Sequence, residues 1–484
     1  MSGGFRSRAA GRRKETRSSK QLPKSGQQRP NTEIPRVDIG DPAREAAWST
    51  LMRVDVDGAF ANLVLPGILR AHKVRGKDAA FATELTYGTL RSLGVLDAVL
   101  QECSTRDIAS LDAEVRAALR LGAYQLLFTR VGQHAAVDTS VQLVISAGRQ
   151  GAKGFANAVL RTMSRQTPQH WMDSCKPADA LECIAFEHSH PAWIARSFAT
   201  ALGVDADDPE LANALQADSE RPIVHLVARP GEISAEELAL ITGGDTGKYS
   251  PYAVYLPEGN PGELQPVRDG LAAVQDEGSQ LIARALVQAE VADDQGRWLD
   301  LCAGPGGKAA FIGSLAAIDG ARVDAIEVAP HRAELVEKAT KGLPVHVRTG
   351  DATAIALETG YDRVLVDAPC SGLGSLRRRP EARWTKRESD IDSLTRLQRK
   401  LLSTAIAATK PGGVIVYSTC SPDIRETRGI VDAVLASGAV EECDAHELVA
   451  PMENVGGFKS VQMWPHRHGT DAMFFAVLRK KTLG

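Results

Sequence analysis

Two cysteines in this chain each follow a predicted strand and each precede a serine. Cys370 lies in DAPCSG, directly after the predicted strand 363–366, and Cys420 lies in STCSP, after the predicted strand 413–418. Ligands in open α/β sheets bind beyond the carboxyl ends of the strands, and these two strands are neighbours in the usual order. A single buried cysteine is most often only a small apolar side chain. Two cysteines at equivalent strand ends instead favour a functional pair of thiols at one sheet edge.

A glycine-rich turn, DLCAGPGGK (300–308), follows the first predicted strand of the same region. It does not fit a Walker phosphate loop, because Cys302 and Ala309 stand where that motif needs a glycine and a hydroxyl, and it lacks GxGxxG. Two interpretations remain open for the turn alone. It is either a tight turn without a ligand, or a turn that lets backbone approach a ligand closely, as in S-adenosylmethionine sites.

Carboxylates at successive strand ends favour the second interpretation. Glu327 ends the second predicted strand, where nucleoside-binding folds place an acid against the ribose hydroxyls. Asp351 follows the third strand and suits the adenine amino group, and Asp367 ends the fourth strand. Together they predict adenosine binding beside the two thiols.

A thiol pair at such a site suits transfer of a methyl group to the C5 carbon of cytosine. That carbon is a poor nucleophile until a thiolate adds to C6, and this addition splits one hard step into easier ones. A partner near N3 and a base for the C5 proton complete the minimum set. Cys420, Asp367 and Cys370 could be nucleophile, N3 partner and base. No histidine adjoins either cysteine, so the sequence does not indicate how the thiolate forms.

The elements that position these residues follow from the apolar pattern. Five short apolar runs, each followed by a turn and a helical stretch, predict a Rossmann-like, doubly wound parallel sheet. Upstream, apolar residues recur at helical spacing and predict an all-helical domain. We expect a multidomain chain with a basic disordered tail, a helical domain, a connector (about 166–188) with a small α+β subdomain, and an α/β domain; their ranges are 1–40, 41–165, 166–265 and 266–484. The predicted strands of the sheet are 297–301, 323–326, 345–348, 363–366 and 413–418.

Composition and charge limit the classes of protein. The 484 residues carry a net charge of −3, but residues 1–36 alone carry +8, which leaves −11 for the remainder. Such a tail either draws in a polyanion or only adds solubility. No apolar run of about 18 residues predicts a membrane span, and no signal peptide is evident. Seven scattered cysteines indicate neither a disulfide framework nor a structural zinc site, so we expect a reducing cytoplasm.

Further motifs give the chain a specific resemblance. QDEGSQL (275–281), DLCAGPGGK, DAPCSGLG, RRRPEARW (377–384) and STCSP resemble the Sun-type family of RNA cytosine-5 methyltransferases over about 270–478. FATELTYGTLR (81–91), HAAV (134–137) and FANAVLR (155–161) are similar to NusB-type RNA-binding domains over about 42–165. The two together are the layout of the bacterial RsmB family, which methylates 16S rRNA. The chain departs from the family pattern at Ala309 and at Asp471-Ala472.

The resemblance implies roles for individual residues. Cys420 would attack C6, Cys370 would promote release, and Lys308 and Asp367 would contact the target base. It also implies S-adenosylmethionine as cofactor, held by the turn and the strand-end acids: Cys302, Ala303, Gly304, Pro305, Gly306, Gly307, Lys308, Glu327, Asp351 and Asp367. A 16S rRNA substrate, a monomer, and no metal or membrane partner are expected. Methylation of tRNA, and a non-catalytic RNA-binding or antitermination factor, stay open as alternatives.

Two further charged groups need an interpretation. Arg377, Arg378 and Arg379 follow the Cys370 motif, and phosphate contact is slightly favoured over a solvated charge run. His466 and His468 have the spacing of metal ligands but lack a third ligand nearby in the sequence, so we expect no metal there.

Overall fold

The structure, a computed structural model, describes residues 34–482. Most of the predicted basic tail lies outside these residues. The prediction of disorder is wrong for 34–40, because this segment packs on the helical domain: Val37 is buried, and the amide of Asp38 donates to Ser146 Oγ at 2.8 Å. Apolar residues at the end of the tail therefore fix it to the protein.

The region from 41 to 165 is helical, as predicted. Asp41 caps the first helix by accepting from the amide of Arg44, and Gly58 ends it in the left-handed conformation at φ 66°. Leucine, valine and alanine side chains from all seven helices form most of one continuous core. The helices are α1 (Pro42–Asp57), α2 (Ala61–Ala71), α3 (Gly76–Arg91), α4 (Leu93–Glu102), α5 (Ala113–Phe128), α6 (Gln133–Ser146) and α7 (Lys153–Met163).

The predicted connector contains two helices, α8 (Pro168–Cys175) and α9 (Ala180–Glu187). Trp171 of α8 is buried in the core of the preceding helices and donates to the carbonyl of Met163 at 2.9 Å. Two more helices follow, α10 (Ala192–Leu202), as predicted, and α11 (Pro209–Ser219). Helical packing therefore continues well past residue 165.

The small α+β region is built on an antiparallel sheet. Its strands are β1 (Val224–Ala228), β2 (Asp245–Thr246), β3 (Ala253–Leu256) and β4 (Ala272–Val274), in the order β2-β3-β1-β4. Helices α12 (Ala235–Thr242) and α13 (Gln265–Arg268) lie between strands in the chain. The short apolar runs 223–227 and 253–256 predict two strands here, and both are confirmed within one residue as β1 and β3. Strand β4 extends this sheet beyond residue 265.

The large sheet carries the predicted functional residues. Its order is β7-β6-β5-β8-β9-β12-β10, and β11 pairs with β12. The five predicted strands, β5 to β9, run parallel and are confirmed. A wholly parallel sheet is wrong, because β12 runs antiparallel to both β9 and β10. The strands are β5 (Arg297–Asp300), β6 (Arg322–Glu327), β7 (Val345–Thr349), β8 (Tyr361–Asp367), β9 (Thr409–Thr419), β10 (Val440–Cys443), β11 (Val461–Gln462) and β12 (Phe474–Lys480).

Helices cover both faces of this sheet and separate its strands along the chain. They are α14 (Glu277–Gln288), α15 (Gly307–Asp319), α16 (Pro330–Ala339), α17 (Ala382–Thr385), α18 (Asp390–Ala408), α19 (Arg428–Leu435) and α20 (Pro465–His468). Within residues 34–482, no helix combines the length and the apolar character needed to span a membrane.

Candidate active site

The two predicted thiols meet at one edge of the large sheet. Asp367 at the end of β8 is in register with Ser418 of β9, so the segments that follow these strands leave the sheet side by side. The sulfur atoms of Cys370 and Cys420 lie 3.3 Å apart, although 50 residues separate them in the chain. The prediction that two neighbouring strands bring these cysteines together is confirmed.

The two thiols differ in acidity. A hydrogen bond from Cys370 lowers the pKa of Cys420, and the nearby positive charge of Lys308 acts in the same direction against burial and Asp367. The same hydrogen bond, with burial, raises the pKa of Cys370 well above its usual value. This arrangement favours a thiolate on Cys420 and a proton on Cys370. Since thiolates are the nucleophilic form of cysteine, this difference in acidity favours Cys420 over Cys370 as a nucleophile.

Lys308 and Asp367 form an ion pair beside the thiols. Lys308 Nζ lies 2.8 Å from Asp367 Oδ2, and Ser418 Oγ donates to Asp367 Oδ1 at 2.9 Å. Burial opposes the charge on Lys308, but the attraction of Asp367 outweighs it and raises the pKa of Lys308. The lysine is therefore a fixed positive charge close to Cys420.

The glycine turn approaches Glu327 so closely that a side chain would not fit. A Cβ atom placed on Gly304 would lie 2.0 Å from Glu327 Oε2. Glu327 is buried and accepts from the amides of Gly304 and Ala329, at 3.1 and 2.9 Å. At the base of the turn, burial and then the charge of Asp367 raise the pKa of Asp300 to about 7.

A cavity of about 500 Å³ joins these groups. Its walls include a buried carboxylate, an exposed carboxylate (Asp351) and both thiols, which suits a ligand with ribose, adenine and a reactive sulfur centre. Of the predicted site residues, those that line it are Cys302, Gly304, Pro305, Glu327, Asp351, Asp367, Cys370 and Cys420. The residues at this sheet edge therefore fit S-adenosylmethionine.

Four predicted residues do not line the cavity. The amide of Ala303 donates to the carbonyl of Ile326 at 2.9 Å, which anchors the turn to β6. Gly306 has φ 110° and precedes α15, which begins at Gly307. Lys308 is directed to Asp367 by its ion pair. Ala303, Gly306 and Gly307 shape the turn. Lys308 instead forms an ion pair with Asp367 and helps to lower the pKa of Cys420.

Sequence analysis missed the support of the Cys370 segment. Glu426 is fully buried and accepts from the amide of Ser371 at 2.9 Å, from Ser371 Oγ at 2.5 Å and from Gln398 Nε2 at 3.1 Å. Gln398 also donates to the carbonyl of Pro369 at 2.9 Å. The serine that follows Cys370 was the available signal, since a buried hydroxyl needs a partner.

The predicted phosphate contact is wrong for Arg377 and Arg378. Arg377 is buried, and its Nε lies 2.6 Å from Asp471 Oδ1. Arg378 bridges Asp471 at 2.8 Å and Asp276 at 2.7 Å. Carboxylates almost a hundred residues away in the chain occupy these two guanidinium groups, and only Arg379 faces the cavity.

The two C-terminal histidines bind other protein groups. His466 Nε2 lies 2.6 Å from Glu210 Oε1, and His468 bonds to the amide of Trp464 and the carbonyl of Glu453. Among residues 34–482, no group of three or more histidine, cysteine, aspartate and glutamate side chains could hold a metal ion.

Comparison with protein families and relatives gives the same two parts. The model of the 16S rRNA methyltransferase RsmB/F family matches residues 287–479, and the NusB family model matches residues 41–165. A methyltransferase of Mycobacterium tuberculosis is 52% identical over 94% of this chain and 100% of its own length. The ribosomal RNA small subunit methyltransferase B of Cronobacter sakazakii is 32% identical, over 90% of this chain and 98% of its own.

Solved structures share the fold. PH0851 has a TM-score of 0.78 at 22% identity, covering 92% of this chain and 100% of that chain. NSun6 from Pyrococcus horikoshii, solved with SFG, has a TM-score of 0.52 at 20% identity, covering 60% of this chain and 99% of that chain.

Proposed function

We propose that this protein methylates carbon 5 of a cytosine in 16S rRNA. The chain belongs to the RsmB/F family of S-adenosylmethionine-dependent RNA methyltransferases. The family resemblance of the sequence motifs is confirmed, as is the cofactor. Family membership favours the enzyme over the non-catalytic RNA-binding alternative. The specific nucleobase, the RNA and the thiol chemistry are the proposal.

The observation that carries the proposal is the unequal thiol pair. Cys420 attacks C6 as the thiolate, a sulfur–carbon bond forms, and the electrons of the C5–C6 double bond move into the ring. Asp367, which lines the cavity, contacts the base near N3, and Lys308 is held beside it by the ion pair. The positive charge of Lys308 stabilises the negative charge that arrives in the ring, which is the electrostatic contribution expected of a fixed charge in a cavity. Attack on C6 thus needs the one thiol of the pair whose pKa is lowered.

Release follows from the loss of the Cys420 charge. Once Cys420 is a thioether, it carries no negative charge. It then no longer accepts the hydrogen bond from Cys370 and no longer repels a Cys370 thiolate. These are the two effects by which Cys420 raises the pKa of Cys370. Cys370 can then release its proton to solvent through the cavity and, as a thiolate base, take the proton from C5. The electrons of that C–H bond restore the C5–C6 double bond, and the Cys420 sulfur leaves with its electron pair.

The cofactor site is proposed from the cavity walls. Glu327 binds the ribose hydroxyls and Asp351 the adenine amino group. The turn residues that line the cavity, Cys302, Gly304 and Pro305, hold the remainder together with Asp367. When bound, S-adenosylmethionine would supply an electrophilic methyl group to C5, and its sulfonium sulfur would keep the electron pair of the broken sulfur–methyl bond. Gly304 keeps the turn within hydrogen-bond distance of Glu327, which fixes the carboxylate that orients the ribose.

The product identifies the reaction. The full chain is incubated with methyl-labelled S-adenosylmethionine and, separately, with a 16S rRNA transcript, small ribosomal subunits and bulk tRNA, and the RNA is digested to nucleosides. We expect label in 5-methylcytidine from 16S rRNA or the subunit. Label in 5-methylcytidine from tRNA alone would support the tRNA alternative, and label in another nucleoside would contradict C5 chemistry.

A further inference from the structure

An aromatic side chain of the helical domain reaches the active-site cavity. Phe60 lies between α1 and α2, is 40% exposed, and lines the cavity together with Cys420 and Glu327. Gly58, at φ 66°, turns the chain at the end of α1 so that Phe60 can project from the domain. The cavity is therefore built from two domains.

Contacts between the domains hold Phe60 in place. The amide of Ala61, the first residue of α2, donates to Glu381 Oε1 at 3.1 Å, so a catalytic-domain carboxylate caps this helix. Gly94 packs against Trp384 so tightly that a Cβ there would lie 2.5 Å from the ring. Since Glu381 and Trp384 follow the Cys370 motif closely in the chain, Phe60 is fixed relative to the thiols.

The Phe60 ring packs against the guanidinium group of Arg379, which forms no salt bridge with a carboxylate among the described residues. The guanidinium carbon of Arg379 lies 5.0 Å from the ring centroid, and Arg379 also lines the cavity, as does Lys386. Within residues 34–482, no carboxylate lies within ion-pairing distance of Arg379 or Lys386, in contrast to the neighbouring Arg377 and Arg378. An exposed ring beside unpaired positive charges is the combination that binds single-stranded nucleic acid, since bases stack on aromatic rings and cations contact phosphate.

We propose that Phe60 and Arg379 bind a nucleotide of the RNA substrate at the mouth of the active site, Phe60 by stacking on its base and Arg379 by contacting its phosphate. The inference rests on the proposed function for the RNA that is bound. It makes the helical domain part of the catalytic cavity and Phe60 a positioning residue for the target strand.

Four variants of the full chain test the proposal, and one of them, Arg379→Ala, removes the proposed phosphate contact. Phe60→Ala removes the ring and Phe60→Trp keeps an aromatic surface. Leu63→Ala, three residues further along in α2, is the matched control, because Leu63 is 72% exposed and does not line the cavity. Three quantities are measured: the Kd for a fluorescein-labelled single-stranded cytidine-containing RNA, the Kd for S-adenosylmethionine, and KM and kcat with the 16S rRNA transcript.

We expect Phe60→Ala to raise the Kd and the KM for RNA about tenfold, with the Kd for S-adenosylmethionine and kcat at saturating RNA unchanged. Phe60→Trp restores RNA affinity, and Arg379→Ala lowers the slope of log K against log salt by about 0.7. The proposal would be overturned if Phe60→Ala bound RNA with the same affinity as Leu63→Ala, or if Phe60→Ala lost affinity for the cofactor alone. A wild type that makes no 5-methylcytidine refutes the proposed function, and the RNA Kd values still decide this inference.

Discussion

At the scale of residues, two thiols share one hydrogen bond and have different roles in the proposed reaction, attack for Cys420 and release for Cys370. The 3.3 Å separation of Cys370 and Cys420 makes one sulfur the donor and the other the acceptor. Lys308 supplies positive charge near the acceptor without any neighbouring histidine. In the proposed reaction, the hydrogen bond and this charge are the source of the thiolate that the sequence did not indicate.

The pH dependence of attack follows from the lowered pKa of Cys420. The thiolate fraction rises with pH, so the single-turnover rate of adduct formation rises and levels off below the ordinary thiol pKa of 9.0. In Cys370→Ala the hydrogen bond to the thiolate is lost, so the plateau moves to higher pH. Quenched-flow measurement of adduct formation checks both curves, and coincident midpoints would show that the hydrogen bond has no such effect.

Replacement of Glu426 tests the support of the release residue. In Glu426→Gln, an amide nitrogen, which is a donor, replaces one carboxylate oxygen that accepts hydrogen bonds from Ser371 and Gln398. Because donors then face each other, we expect the segment that carries Cys370 to shift. Loss of hydrogen bonds to a buried charge costs about 1.5–3 kcal/mol, which corresponds to roughly a ten- to hundredfold slower step. We expect the steady-state rate to fall while the rate of adduct formation is nearly retained. Glu441→Gln, at an exposed position, is the control; equal slowing of attack and release would refute the division of roles.

At the scale of elements, three segments meet where the strands end. The amide of Gly374 donates to the carbonyl of Cys420, and the carbonyl of Gly374 accepts from Ala472, both at 2.9 Å. The segment after Cys370 is thus fixed between the segment after β9 and the start of β12. Ala472, a departure from the family pattern, lies against the active-site scaffold.

A side chain at Gly374 is expected to disrupt this junction. In Gly374→Ala, the added Cβ would lie 1.8 Å from the carbonyl oxygen of Ala472, so the backbone must move. Overpacking of this kind costs about 1–3 kcal/mol, and the displaced segment carries Cys370. We expect lower thermal stability and at least tenfold lower kcat with cofactor binding retained, measured by calorimetry and methyl transfer. Gly151→Ala, with open space around Gly151, is the control, and equal behaviour of the two variants would contradict the argument.

Sequence predicted the elements whose signals are local. The five parallel strands are short apolar runs followed by helices, and both cysteines were placed by the ends of β8 and β9. Strand β12 lacks that rhythm, because an antiparallel strand needs no helical crossover. The roles of Arg377 and Glu426 depend on partners distant in the chain, Asp471 and Ser371, which no local pattern reveals.

At the scale of the whole molecule, the segment 378–383 joins the domains around the cavity. Arg378 connects it to the small sheet region through Asp276, Arg379 contacts Phe60 of the helical domain, and Arg383 is fully buried between domains. Arg383 donates to the carbonyl of Asp218 and to Ser219 Oγ, and its Nη2 lies 3.3 Å from Asp218 Oδ2. The active site and the domain arrangement therefore depend on the same few residues.

Removal of the buried arginine is expected to weaken the domain junction. Arg383→Met leaves Asp218 buried without its charged partner, and loss of one member of a buried pair costs about 3–5 kcal/mol. We expect a lower Tm in scanning calorimetry and weaker RNA binding, since Phe60 loses its fixed position. Arg387→Met, at an exposed position of the same segment, is the control. An unchanged Tm for Arg383→Met would contradict the structural role of this residue.

The proposed thiol roles are tested most directly by a denaturing gel of wild type, Cys370→Ala, Cys420→Ala and the control Cys443→Ala after incubation with 16S rRNA and S-adenosylmethionine. We expect a stable protein–RNA band with Cys370→Ala only, because Cys420 attacks and release stalls. A band with Cys420→Ala would show that the two thiols have the opposite roles. Methylated RNA from Cys420→Ala would show that the reaction does not proceed through the Cys420 adduct.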